Sequence, residues 1–338
     1  MREALHVNPY DIDGTAEILH RALTMEDNMR RLRVTALRRR ERRDDLDSWV
    51  IAFLGSAGED RASLVPIGDP DFESWLEAFL GGRRLALFLD YDGTLCPLTD
   101  HPSNATLSRK MSKTLEVCAE RRDTEVAIVS GRAVEDIRAM VKRTDLSYAG
   151  NHGLQIEGPG LAKFVHEDLV HYRERAEELS SDLEELATGG AWIEAKGPTL
   201  TYHYRAVAES AREKLIDDAR QIIRAAGYQD RDAHCALEAR PPIGWDKGRA
   251  VLHILRTRYG PAWSEHVRVI YVGDDETDED AFRFLAGLAS TFRVGGADTA
   301  TAALHRLPDV DAVRRLLDWL GRRPESSRGS RARGKARS

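Results

Sequence analysis

The sequence predicts an α/β protein: a doubly wound core with a parallel sheet, interrupted by a smaller αβ segment and preceded by a helical extension. Three observations carry that prediction. Four short apolar or β-branched runs, at 85–89, 124–130, 267–272 and 291–294, each stop at glycine and polar residues, as strands buried on both faces of a parallel sheet do. Helical stretches such as 108–121 and 133–143 separate them, giving the βαβ alternation of a doubly wound fold. Residues 154–240 break this rhythm with alternating strands, the pattern of an antiparallel sheet with one face on a core.

In chain order, residues 1–75 read as helical, with a basic stretch from Arg30 to Arg43 and an amphipathic piece in which Trp49, Val50, Phe53 and Leu54 form an apolar stripe. The core is expected over 82–153 and 241–322. Its first strand, Leu85 to Leu89, stops at Asp90-Tyr91-Asp92-Gly93. Sheets of this kind bind ligands beyond the carboxyl ends of their strands, so Asp90 and Asp92 belong at that rim. There, one carboxylate can attack and its neighbour can move a proton. Alone, Asp-x-Asp-Gly fits an ordinary turn equally well. The next strand runs into Ser130-Gly131-Arg132, where Ser130 also reads as a helix N-cap. Gly150-Asn151-His152-Gly153 closes this half of the core.

Within 154–240, helices near 165–187 and 207–226 flank a hairpin, Trp192 to Lys196 and Thr199 to Arg205, turned at Gly197-Pro198; a third strand follows from His234 to Arg240. One face of these strands carries Glu194, Lys196, Thr201, His203, Arg205, Glu238 and Arg240. The other carries Ile193, Ala195, Leu200, Tyr202, Tyr204, Cys235 and Leu237. Periodicity by itself favours a solvated outer face over a lid that closes on a hydroxyl-rich ligand. Lys247, in Trp-Asp-Lys-Gly, and Gly273-Asp274-Asp275-Glu276-Thr277-Asp278 follow. Read singly, these are a surface lysine and the capped start of a helix. Residues 323–338, rich in Arg, Ser and Gly, have nothing to bury and are expected to be disordered.

The 338 residues, 42% hydrophobic and 31% charged, suffice for a sizeable core. A net charge of -6 argues against a dedicated nucleic-acid binder, and the Arg30 to Arg43 run lacks aromatic stacking partners for one. No apolar stretch reaches membrane-spanning length. Cys96, Cys118 and Cys235 are too few and too scattered for a disulfide framework or a cysteine metal site. With no signal-peptide pattern at the start, a reducing cytoplasm and a small-molecule partner are expected, with neither nucleic acid nor membrane.

A phosphate ester would give the scattered motifs one purpose. A phosphate dianion beside the Asp90 carboxylate is repelled by about 4 kcal/mol per charge pair at ~4 Å and an effective dielectric of ~20, so attack needs cations. Lys247 supplies one, and Mg²⁺ held by carboxylates such as Asp90 and Asp274 supplies another. Ser130 and the N–H groups at its helix start can hold the other phosphoryl oxygens.

In this order, Asp90 to Leu95, Ser130-Gly131-Arg132, a downstream Lys247 and Gly273-Asp-Asp-x-Thr-Asp278 resemble the motifs of the haloacid-dehalogenase-like phosphohydrolases. Within that superfamily the chain is similar to the trehalose-6-phosphate phosphatases, on Gly150 to Gly153, Leu200 to Arg205, Leu237 to Pro241, Trp245 to Gly248 and Gly273 to Phe282. The resemblance covers about residues 82–320 and implies a core interrupted by a cap over 154–240, which raises the lid reading. It implies Asp90 as nucleophile and Asp92 as proton shuttle, a phosphate held by Tyr91, Ser130, Gly131 and Lys247, and Mg²⁺ on Asp90, Asp92, Asp274 and Asp275 or Asp278. It also implies that Arg132, Asn151, His152, Gly153, Lys196, His203, Arg205, Glu238 and Arg240 read the sugar. Residues 5–23, and onward to about 55, resemble the end of a trehalose-6-phosphate synthase whose catalytic parts are absent. That segment is expected to pack on its own chain, with docking to a synthase or self-association as the alternatives. Rival expectations are a phosphatase of another sugar phosphate, such as sucrose phosphate, and a catalytically silent partner of a synthase.

Overall fold

A computed structural model describes residues 5, 7, 11–43, 63–64, 68, 70–99, 104–233, 235–296 and 299–324. The apolar stripe at 46–54 and all but the first two residues of the 323–338 tail lie outside the described residues. Strands β1 (Ser63–Leu64), β2 (Arg84–Leu89) and β3 (Thr124–Val129) come first. Then follow β4 (Ser147–Gly150), β5 (Gln155–Glu157), β6 (Phe164–Val165), β7 (Trp192–Lys196), β8 (Thr199–His203), β9 (Gln229–Ala233) and β10 (Ala236–Arg240). Finally come β11 (Val267–Gly273), β12 (Ser290–Val294) and β13 (His305–Leu307). The chain divides into two compact units, Met1–Ala127 with Val251–Ser338, and Ile128–Ala250.

In the first unit, β1, β13, β12, β11 and β2 lie side by side in that order, every pair parallel. Five consecutive residues of β2 are buried, so both faces of the strand are covered, as its unbroken apolar run requires. Leu87, Ile270, Tyr271 and Phe292 have no exposed surface. Truncating such a side chain, as in Leu87→Ala, costs about 3 kcal/mol. Ser108 caps the helix Arg109–Ala119 and Asp309 caps Val310–Arg322, each accepting from a backbone N–H in the first turn. The helical reading of the start of the chain holds in Ile12–Thr24 and Asp27–Arg43. Asp11 and Glu17 pair with Arg256, and Arg21 and Arg33 converge on Glu265. No helix among the described residues is long and apolar enough to cross a membrane.

The second unit holds two antiparallel arrangements. One is β4-β5-β6, strands of two to four residues, too short to carry a readable period. The other is a separate sheet in the order β7-β8-β10-β9. Leu200, Tyr202, Leu237 and Ala239 on one face of that sheet pack with Leu179, Leu183, Ala219 and Ile223 of the helices Leu169–Leu186 and Glu209–Ala225. Three strands were expected and four are present. The extra one, β9, reads Gln-Asp-Arg-Asp-Ala and has no apolar alternation. Its acids are instead tied to the neighbouring helix: Asp230 to Arg220 and Arg224, and Asp232 to Arg220. β10 starts at Ala236, two residues later than expected, because Cys235 turns with a φ of 55°. The polar face is not the solvated surface that periodicity favours, since Thr199 and Thr201 are buried and Glu194, His203 and Glu238 are largely covered.

Candidate active site

In the first unit the end of β2 delivers Asp90, 4% exposed, its N–H donating to the Val272 carbonyl of the adjacent strand at 2.9 Å. The chain then turns tightly, the Tyr91 carbonyl accepting from the N–H groups of Leu95 and Cys96. The Tyr91 ring faces inward and its hydroxyl donates to the Ala105 carbonyl. Asp92 is half-buried on the same turn. Gly93 has a φ of 73°, and a Cβ there would stand 1.9 Å from a carboxylate oxygen of Asp274. Only glycine lets the two loops meet so closely. The Thr94 hydroxyl donates to the same carboxylate at 3.3 Å.

Asp274 follows β11, beside β2 in the sheet. Asp275 and Asp278 form a capping box at the start of the helix Glu276–Phe284. The sequence reading of a capped helix start is therefore right for these two residues, while Asp274 turns to the rim. Asp278 is fully buried and accepts from the Tyr271 hydroxyl at 2.6 Å and from the N–H groups of Asp274 and Asp275. One oxygen from each of Asp90, Asp274 and Asp278 lies within 4.8 Å of the others. Like charges this close repel unless a cation or a proton intervenes. An all-oxygen set of carboxylates suits a hard divalent cation. The Asp275 carboxylate is engaged at its cap, accepting from Thr277 and Asp278.

In the second unit two loops are stitched together. The Asn151 N–H donates to the Arg132 carbonyl at 2.7 Å and that of His152 to the Ser130 carbonyl at 3.0 Å, while the Ser130 hydroxyl accepts from the Arg132 N–H. A Cβ on Gly131 would strike the His152 ring at 2.8 Å, so the glycine seats the imidazole. Asn151 and His152 both adopt left-handed backbone, φ 50° and 56°, a strain that persists only where surrounding contacts impose it. Lys247, 2% exposed, opens the helix Lys247–Tyr259. A buried ammonium needs an anion to offset its desolvation. Trp245 donates to the Gly153 carbonyl at 2.8 Å and fixes the approach to that helix.

The strands β7, β8 and β10 bring further expected residues to these loops. Gly197, at the hairpin turn, lies against the Asn151 side chain. Glu238 reaches within 3.2 Å of the His152 Nε2, off the line a ring hydrogen bond needs, and accepts from Arg240 at 2.6 Å. Burial pushes the Glu238 carboxyl up, but the Arg240 guanidinium that it accepts from outweighs burial and holds the group well below the usual carboxylate range. Burial likewise pushes the His152 imidazole down, with Arg240 adding to the effect and Glu238 opposing it. His203 sits apart from this cluster, 3.0 Å from Glu194 and stacked on Trp192. Arg205 is exposed beyond the end of β8. Lys196 is the last residue of β7.

Sequence reasoning missed Trp192, Gln155 and Tyr271 as parts of these clusters. Trp192 was legible as the partner of His203 once the hairpin register was drawn. Gln155, which holds Asn151 by its amide at 2.6 Å, and Tyr271, which holds Asp278, carried no signal of their own.

Residues 88–301 match the trehalose-phosphatase family. A trehalose 6-phosphate phosphatase of Zea mays is 34% identical over 255 residues, 70% of this chain and 69% of that protein. A probable trehalose-phosphate phosphatase of Arabidopsis thaliana is 34% identical over 271 residues, 75% of this chain and 72% of that protein. Among solved structures, the C-terminal domain of the C. albicans trehalose-6-phosphate phosphatase superposes with a TM-score of 0.63, covering 74% of this chain and 96% of that one at 23% identity, a likeness of fold.

Proposed function

The chain belongs to the trehalose-phosphatase family, and we propose that it hydrolyses trehalose 6-phosphate to trehalose and phosphate through an aspartyl-phosphate on Asp90. The observation that carries this reading is the meeting of the Asp90, Asp274 and Asp278 carboxylates within 4.8 Å at the carboxyl ends of neighbouring parallel strands. Asp90 attacks phosphorus and the ester oxygen leaves with a proton from Asp92. Asp92 then takes a proton from water as that water attacks the phosphoaspartate, so the residue serves as acid and then as base. The divalent cation is Mg²⁺ in this reading; Asp90, the Asp92 carbonyl and Asp274 would hold it, and it supplies charge neutralisation for the phosphoryl oxygens. Asp278 serves from behind, its oxygens engaged with Tyr271 and two backbone N–H groups that set the Asp274 loop.

Ser130, the Gly131 backbone and Lys247 grip the phosphate in this account. Tyr91, whose hydroxyl is engaged inward, contributes through its backbone. Arg132, Asn151, His152, Gly153 and the strand residues Lys196, His203, Arg205, Glu238 and Arg240 read the sugar. Residues 82–153 and 241–322 are the catalytic core and 154–240 the cap. The buried thiols of Cys96 and Cys118 fit a reducing cytoplasm. The resemblance of residues 5–55 to the end of a synthase supports an ancestral fusion, and association with a synthase through this segment is part of the proposal. A phosphate-release assay on trehalose 6-phosphate, sucrose 6-phosphate and glucose 6-phosphate, with and without Mg²⁺, tests the reading. It predicts preference for the trehalose ester; preference for another ester refutes the substrate assignment.

A further inference from the structure

The first unit encloses an ion pair, Glu279 with Arg293, that no step of the proposed reaction uses; their side chains are 7% and 12% exposed. Arg293 belongs to β12 and is the register partner of Gly273, the last residue of β11 before Asp274. Its guanidinium donates to Glu279 at 2.7 Å and to the backbone carbonyl of Asp275 at 3.3 Å. Glu279 follows Asp278 on the helix Glu276–Phe284, and it also accepts from the Thr301 hydroxyl at 2.6 Å and the Ala302 N–H at 2.7 Å. The pair therefore meets the acidic turn at both ends, Arg293 at the carbonyl just past Asp274 and Glu279 one residue past Asp278. Inside that turn a Cβ on Gly273 would stand 2.2 Å from the Asp278 carboxyl carbon. A small shift of the backbone there would move the Asp274 and Asp278 carboxylates together.

From this arrangement we propose that Arg293, braced by Glu279, is a positioning residue for divalent-cation binding: it holds the Asp275 carbonyl and so aims the Asp274 carboxylate at the cation. The inference rests on the metal reading above. Stability alone gives little reason for such a pair, because two enclosed charges gain by attraction roughly what they lose by leaving water, and apolar side chains of similar size often hold a fold as well. Aim gives a better reason. Asp90, Asp274 and Asp278 bring carboxylate oxygens within 4.8 Å of one another, and their repulsion drives the Asp274 turn outward. A fixed guanidinium on the next carbonyl opposes that movement, and the contacts with Thr301 and Ala302 hold Glu279 behind it. Groups that hold a metal ligand in place contribute about ten- to a hundredfold in metal affinity.

Calorimetric titration with Mg²⁺, in the absence of any ester, tests the proposal on the full chain, on Arg293→Met, on Arg293→Lys and on Arg293→Met combined with Glu279→Gln. Phosphate release from p-nitrophenyl phosphate across the same Mg²⁺ range accompanies it. Arg293→Met is expected to weaken Mg²⁺ binding about tenfold, the lower end of the range, because it frees a carbonyl beside the ligand rather than the ligand itself. Saturating Mg²⁺ should bring its kcat back to within about threefold of wild type. Arg293→Lys, which keeps a cation able to reach the same carbonyl, should recover most of the lost affinity. The double variant leaves no uncompensated charge in the enclosed pair, so it keeps the test open if Arg293→Met alone does not fold, and it too should bind Mg²⁺ about tenfold more weakly. Wild-type affinity in the double variant overturns the positioning role, as does a loss that Arg293→Lys fails to recover. Wild-type chain that binds no Mg²⁺ brings down the metal reading itself, and the positioning role with it.

Discussion

The carboxylate cluster of the first unit and the His152–Glu238–Arg240 cluster of the second both hold charge away from water, and they do so in opposite ways. In the second, opposite charges are matched: Arg240 grips Glu238, and His152 is biased toward its neutral form. In the first, three carboxylates converge, and a phenol, a hydroxyl and backbone N–H groups are among the donors to Asp278 and Asp274. A matched cluster is complete within the fold and suits the recognition of neutral hydroxyls. A like-charged one calls for a cation and suits phosphoryl chemistry.

Substitutions on the two sides should therefore behave differently. Asp90→Asn, which removes the attacking group, is expected to lower kcat by at least about 10⁴-fold with the thermal unfolding curve unchanged; turnover near wild type would break the assignment. Lys247→Ala should cost about 10²- to 10³-fold in kcat/KM on every phosphate ester tested, whereas Glu238→Gln should penalise the disaccharide ester selectively. Chelation should abolish activity and Mg²⁺ should restore it. Mg²⁺ should also raise the wild-type unfolding midpoint and fail to raise that of Asp274→Asn, because only a native state with the ligands intact binds the ion.

The legible parts of the molecule are those where one local signal had one cause. The runs at 85–89 and 267–272 became β2 and β11 because an unbroken apolar run ending at glycine or aspartate has few other fates. Asp90 and Asp274 were visible for the same reason, standing where those runs stop. β9 was invisible because its place comes from Arg220 and Arg224 on another element. The mate of His152 could not be read at all, since Glu238 comes to it from a strand 86 positions later. The left-handed turn at Asn151-His152 uses residue types that enter that region more readily than most, but the preference is too weak to announce two such residues in succession without the tertiary contacts around them.

Smaller effects sharpen the contrast. Gly93→Ala places a methyl group in the Asp274 carboxylate at positive φ, and should weaken Mg²⁺ affinity more than it lowers the unfolding midpoint. Acid should weaken the fold through the matched cluster. His152 has a pKa below its unfolded value, so the unfolded chain binds the extra proton. Its contribution is full above about pH 6.5 and is lost as pH falls toward the depressed folded value. Glu238, also depressed, loses its contribution as pH drops below about 4.5 toward its folded value. His305, lowered to about 4 by burial, adds to the slope from pH 6.5 downward. Unfolding midpoints between pH 8 and pH 5 should thus fall with acid, and His152→Gln should flatten the curve in part; an unaltered slope would show that His152 is not held neutral.

The most direct measurement is rapid-quench mass spectrometry of the enzyme turning over trehalose 6-phosphate with Mg²⁺. The account predicts a phosphoryl group on the peptide containing Asp90, formed and lost at rates that support turnover and absent from Asp90→Asn. Steady phosphate release with no phosphoryl group on that peptide, from an enzyme whose Asp90→Asn variant remains active, would contradict it.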